Sequence, residues 1–165
     1  MHNLSRRIRD AGSAILELRG PLVAGEPWPL SETWGTEPEA DWGPPELLGH
    51  VNEMLPYWVN ELEDVLAGAP AVAVPFGRIA SDASRLARID TDRQRPVGDL
   101  LGDITTGIER ASAFADRLAP DDALRLGLHP SRGEITVRDS IDRFLTAHLE
   151  DHVEQLRTIL ARPPA

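Results

Sequence analysis

The stretch GEITVRDSIDRFLTAHLEDHVEQL, residues Gly133 to Leu156, decides the fold. Thr136 with Asp139 three residues on is a close variant of the capping box that opens a helix. Val137, Ile141, Phe144, Leu145, Leu156 and Ile159 follow at helical spacing, which predicts a helix ending before the terminal RPPA. At about 100° per residue, His148 and His152 lie roughly 40° apart, on the side of Ile141, Leu145, Leu156 and Ile159. Two imidazoles therefore stand in an apolar stripe. Each ring has at least one donor and one acceptor to satisfy, so burying both without a shared partner is costly. The i, i+4 spacing lets two ring nitrogens converge on one divalent metal.

That spacing is also the spacing of the zincin HExxH, but here Leu149 follows the first histidine and the general-base glutamate is missing. Glu150 falls roughly opposite the histidine face and is expected in solvent, with Asp151 at the edge of that face. Nothing is left to argue for peptidase chemistry, and the pair needs a third ligand.

Working outward, three more helical segments share this character, and almost no alternating pattern calls for strands. The class predicted is all-α. One helix runs from about Leu4 to Leu22, with Ile8, Ala11, Ile15 and Leu18 on one face, and Gly20 and Pro21 stopping it. A second opens at WGPPELLGHVNEM, where Pro44 and Pro45 suit a first turn and Gly68 the position past the end. Its stripe is Leu47, Val51, Met54, Trp58, Leu62 and Val65, with Pro56 predicting a kink near Asn52 or an end to the helix's first half. A third begins near Pro96 and turns Leu100, Ile104, Ile108, Ala111 and Leu118 inward, preceded by a shorter helical turn in SDASRLARIDTDRQ. Four such segments imply a four-helix bundle.

The connection GPLVAGEPWPLSETWGTEPEADWG is too long for an ordinary bundle turn and holds Trp28, Trp34 and Trp42. Disordered linkers are poor in aromatics, so this loop is expected to pack across one end of the bundle. Its tryptophans either line a ligand pocket or only cap the core. A second apolar loop, APAVAVPFGRIA, is read as structural.

Composition narrows the chemistry. The 165 residues suit a single domain with a sizeable core, so no metal or disulfide is needed merely to fold. There is no cysteine, and all 17 basic residues are arginine, which excludes a thiol nucleophile, a disulfide framework and a lysine Schiff base. A net charge of -10 argues against a nucleic-acid partner. No segment reads as a signal peptide or membrane span, and the expected location is cytoplasmic.

Of the remaining histidines, His2 sits at a terminus and His129 in the loop GLHPSRG beside a proline. His50 follows Leu47 by three and precedes Met54 by four, on the inward side of the second helix. Alone it would be a core histidine bonded to a carbonyl. Joined to His148 and His152 it makes three nitrogen ligands, the number typical of a catalytic site with open positions.

These blocks resemble the DinB-like superfamily, the DinB/YfiT metal-binding four-helix bundles. The likeness rests on WGPPELLGHVNEM, on GEITVRDSIDRFLTAHLEDHVEQL, and on the nearly one hundred residues between their histidines. It implies a bundle whose third helix does not simply reverse on the second, and a metal triad of His50, His148 and His152. Imidazole suits zinc, nickel, iron and copper alike. Characterised members of that superfamily include thiol transferases using bacillithiol or mycothiol and a mycothiol-dependent maleylpyruvate isomerase. The resemblance thus implies a metal-dependent transferase or isomerase that uses a low-molecular-weight thiol and a small-molecule substrate. Glu53 and Asp151, each within a turn of a ligand, are candidates for supporting or proton-transfer roles, with a solvated helix face as the alternative. Two other readings stay open: a metal-dependent hydrolase, and a non-catalytic stress-response module that binds a metal or small ligand. Pairing through helix faces into a homodimer is a further expectation.

Overall fold

The computed structural model describes residues 2–35 and 38–161. Its helices are α1 (His2–Glu17), α2 (Arg19–Ala24), α3 (Pro44–Ala67), α4 (Ala83–Asp92), α5 (Val97–Arg117) and α6 (Pro120–Ala123). A last rod follows, made of α7 (Val137–Ser140), a π-helical stretch (Ile141–Ala147) and α8 (His148–Leu160). Helix α5 packs against α1 and α3, and the last rod packs against the same two, so the long helices enclose one core. The predicted stripes are the buried ones: Ile8 and Ile15, Leu47 and Val51, Leu100 and Ile104, Ile141 and Leu156 are all fully buried. The last rod ends at Leu160, before the terminal RPPA as expected.

Local chemistry explains where the rods start and break. Pro44 and Pro45 occupy the first turn of α3, where the missing N–H costs nothing, and Gly68 caps its end. The helix runs on through Pro56. Asp82 caps α4 by accepting from the Arg85 amide at 3.0 Å, and Thr136 caps the last rod by accepting from the Asp139 amide at 3.0 Å. The first segment differs from its expectation. It breaks at Leu18, whose amide makes a tight 3.1 Å bond to the Ile15 carbonyl, and Gly20 and Pro21 lie inside α2 rather than beyond a helix end. Proline has no N–H to give to the Glu17 carbonyl, so one continuous helix loses a bond there, whereas the first turn of a new helix loses none.

The fold is mostly helical, as predicted, but it also contains three strands the sequence did not announce. β1 (Val74–Pro75) pairs parallel with β2 (Leu126–His129), and β2 pairs antiparallel with β3 (Gly133–Thr136), with Leu126 opposite Thr136 and His129 opposite Gly133. Two to four residues are too few for an alternating pattern to register. Gly133 closes the hairpin with φ of +71°, a left-handed value that favours glycine.

The tryptophan loop packs as expected. Trp42 is buried, Trp28 and Trp34 lie against the core, and the Trp28 indole donates to the Leu22 carbonyl at 2.7 Å. Within this loop a short 3₁₀ turn, Glu39–Asp41, comes down beside the starts of α3 and α8. No described helix is long and apolar enough to cross a membrane.

Candidate metal centre

His50 lies in the second turn of α3, and His148 and His152 lie on the first turns of α8, immediately after the π-helical stretch. The π-helical winding admits the buried Thr146, whose hydroxyl donates to the Ile141 carbonyl five residues back at 3.2 Å. From His148 onward the rod is regular α-helix, so the i, i+4 geometry of the pair holds as the spacing implied.

The three rings meet. Centroids lie 5.1 Å apart for His50 and His148, 5.2 Å for His50 and His152, and 4.5 Å for His148 and His152. The two Nε2 atoms of His50 and His148 approach to 3.0 Å. Trp42 sets its edge against His50 at 5.8 Å and closes the site on the loop side. Glu39, from the loop, is the member that sequence reading missed. Its Oε2 stands 3.6 Å from His148 Nε2 while its Oε1 is bonded by Arg85. One donor atom from each of Glu39, His50, His148 and His152 falls within 4.8 Å of all the others, so the group could hold a metal ion.

The donor set fits a cation. Burial pushes the His50 imidazole well below its ordinary pKa, with the neighbouring His152 and the Arg85 charge adding to the effect. Burial also lowers His148, and takes His152 down to about 3. All three are therefore neutral at ordinary pH, the form that binds metal. His152 Nδ1 faces Gln155 Oε1 at 3.3 Å, and its buried Nε2 has no hydrogen-bond partner. With the proton on Nδ1, Nε2 presents a lone pair to the cluster. Gln155 is itself fixed, donating to the Glu39 carbonyl at 2.7 Å, so one amide orients a ring and tethers the loop. His50 is held differently. Its Nδ1 faces the Arg85 guanidinium, a donor, at 3.4 Å, and Glu53 Oε2, a buried carboxylate oxygen with no hydrogen-bond partner, lies 4.0 Å away while Arg78 bonds the other oxygen.

The site residues named from sequence are thus distributed unevenly. His50, His148 and His152 come together, and Glu53 stands behind His50. Asp151 is exposed and touches the cluster only through its charge, which raises the His148 pKa slightly against the larger effect of burial. Glu150 is partly in solvent as expected, but it also takes two bonds from Arg7 of α1, Nε at 2.8 Å and Nη2 at 2.7 Å, because its face borders another helix.

A cavity of about 400 Å³ opens from the cluster. His50, His148 and Glu39 form one end, and Met54, Trp58 and Phe144 line its apolar wall. His129, set aside in a loop by the sequence reading, is buried here, its ring 5.1 Å from Phe144 at an interplanar angle of 19°. Gly77 makes room for it: its φ is +80°, and a Cβ there would meet the His129 ring at 2.6 Å. The loop APAVAVPFGRIA is structural at Phe76, but its Arg78, Ile79 and Ala80 line the cavity. No sequence signal singled out Glu39, which is one of several acids in its loop. Nor did any signal turn His129 inward, since an alternation in LGLH would bury the leucines, and Leu126 and Leu128 are the exposed residues. Comparison of the chain with protein-family models, curated proteins and solved structures returned no match.

Proposed function

We propose that the chain is a DinB/YfiT-like four-helix bundle that holds a divalent metal on His50, His148 and His152 and acts as a transferase or isomerase on a small substrate with a low-molecular-weight thiol. The observation that carries this reading is the convergence of four metal-binding donors, one of them an unpartnered buried nitrogen, at the end of an open cavity. A bound divalent cation supplies Lewis acidity that favours the deprotonated form of a thiol or water beside it. The chain's own residues do the rest. Gln155 holds the His152 imidazole in the tautomer that leaves its Nε2 free, and Arg85 holds Glu39 at the edge of the group. Met54, Trp58 and Phe144 give the cavity an apolar wall for the body of a small substrate. The DinB/YfiT resemblance favours the thiol-using reaction over hydrolysis or simple metal storage, and a chain without cysteine would take the sulfur of such a reaction from a co-substrate.

The experiment begins with untagged protein. Bound zinc, nickel, iron and copper are counted in the native chain and in His148→Ala. The reading expects near-stoichiometric metal in the first and little in the second, and negligible metal in both overturns it. Metal-loaded protein is then given mycothiol or bacillithiol with an electrophile, and thiol consumption is followed. Absence of turnover, together with an unchanged visible spectrum of the cobalt form on thiol addition, removes the thiol chemistry.

A further inference from the structure

We propose that the cavity beside the histidine cluster binds a flat aromatic carboxylate, with Arg132 pairing its anionic group. The proposal names the substrate class of the same cavity, and it rests on the metal-centre reading for the reaction but not for the binding.

Three guanidiniums line the cavity, and they are not equivalent. Arg78 is bonded to Glu53 and lies 3.6 Å from the centre of the Tyr57 ring. Arg85 is bonded to Glu39 and donates to the Ala80 carbonyl at 2.9 Å. Both charges are already met. Arg132 is exposed at the hairpin turn between β2 and β3, lines the cavity, and forms no ion pair among the described residues. Its guanidinium carbon stands 5.8 Å from the Phe144 ring centre, beyond close stacking. In a chain of net charge -10, one cation left without a carboxylate on a cavity wall marks the place of an incoming anion. A guanidinium presents paired N–H donors that match a carboxylate. With the other two arginines neutralised, a single negative charge is what the cavity can pair.

The wall beside Arg132 sets the shape of the rest. Phe144 and Trp58 are stacked at 4.3 Å and 7°, and His129 adds a third plane tilted 19° from Phe144. All three of these nearly parallel, mutually stacked rings line the cavity, where a flat aromatic body can extend the stack. The volume of about 400 Å³ lies within the range that holds a small organic ligand.

The probes are 2-naphthoate and its neutral amide, titrated by calorimetry into metal-free and metal-loaded protein. The acid is expected to bind one to one in both, roughly tenfold or more tighter than the amide, the size of one charge-assisted contact. Arg132→Gln, at an exposed position where folding is checked by circular dichroism, is expected to remove that preference, and Arg132→Lys to keep part of it. Equal binding of acid and amide, an unchanged preference in Arg132→Gln, or acid binding that needs metal and ignores Arg132 would each overturn the proposal. A protein that binds 2-naphthoate through Arg132 but never metal overturns the metal reading alone. One that loads metal but ignores 2-naphthoate overturns this one alone.

Discussion

Helix α3 carries two buried polar clusters within three residues, and they differ in how donors and acceptors balance. Asn52 points to Asp92 of α4, and that carboxylate is saturated: it accepts from Asn52 Nδ2 at 2.9 Å, Arg88 Nε at 2.8 Å and Arg95 Nη1 at 3.1 Å. His50, two residues earlier and on another face, meets two more neutral imidazoles and a carboxylate, an assembly rich in acceptors that leaves His152 Nε2 unpartnered. The first cluster is closed by the protein's own donors and ties α4 to α3. The second is open, and only a ligand from outside can complete it. Burial alone therefore does not mark a functional polar group; the unmet half of its hydrogen-bonding or coordinating capacity does.

The largest test of this contrast is exchange of roles. His152→Ala is expected to weaken metal binding by more than roughly 100-fold in competition with a chromogenic chelator, beyond the loss typical of a supporting residue. Asp92→Ala is expected to leave metal affinity within error while lowering stability by about 2–3 kcal/mol in denaturant melts, because Asn52 and two arginines lose their acceptor. If Asp92→Ala also emptied the metal site, the two clusters would not be separable.

Next in size is Gln155→Leu, which removes the orienting partner of His152 and the tether to the loop. A loss of roughly 10–100-fold in metal affinity with little change in melting temperature is expected. An unchanged affinity would show that His152 needs no orientation.

Acid sharpens the same comparison. The pKa of His152 is held down to about 3 in the folded chain by burial, then by His148, against an ordinary value of 6.5. Between those values the unfolded chain binds more protons, so metal-free protein should lose stability as pH falls below about 6.5 and go on losing it toward 3. His152→Leu should flatten that slope in denaturant melts at stepped pH. A slope as steep as the parent's would place the acid sensitivity elsewhere. The smallest effect expected is that of Glu150→Gln. Arg7 and Glu150 are both partly exposed, with side-chain exposures of 32% and 41%, so their pairing contributes about 0.5–1 kcal/mol. Hydrogen bonds from Arg7 depress the Glu150 pKa, so this contribution is present at neutral pH and fades as pH falls through the carboxylate range.

Much of the helical frame was legible because a rod that buries one face writes its period into the chain. The stripes of α3, α5 and the last rod, and the caps at Thr136 and Gly68, follow from local spacing and local hydrogen bonds. The histidine pair was legible for the same reason, since four residues on one helix are neighbours whatever the tertiary structure. His50 could be placed on an inward face and joined to the pair as a third nitrogen ligand, a grouping that the resemblance strengthened. The strands were not legible, because their partners are distant in sequence and their lengths too short to show a pattern.

By itself, then, the sequence determined that three histidines face a helical core in a chain with no thiol of its own. Tertiary structure alone decided the rest: that Glu39 is the loop acid beside His148, that Arg78 and Arg85 are neutralised while Arg132 is not, and that His129 is a cavity wall rather than a loop residue. The physical reason is that helical faces are set by neighbours within a few residues, whereas the pairing of a loop charge depends on which distant segment folds against it.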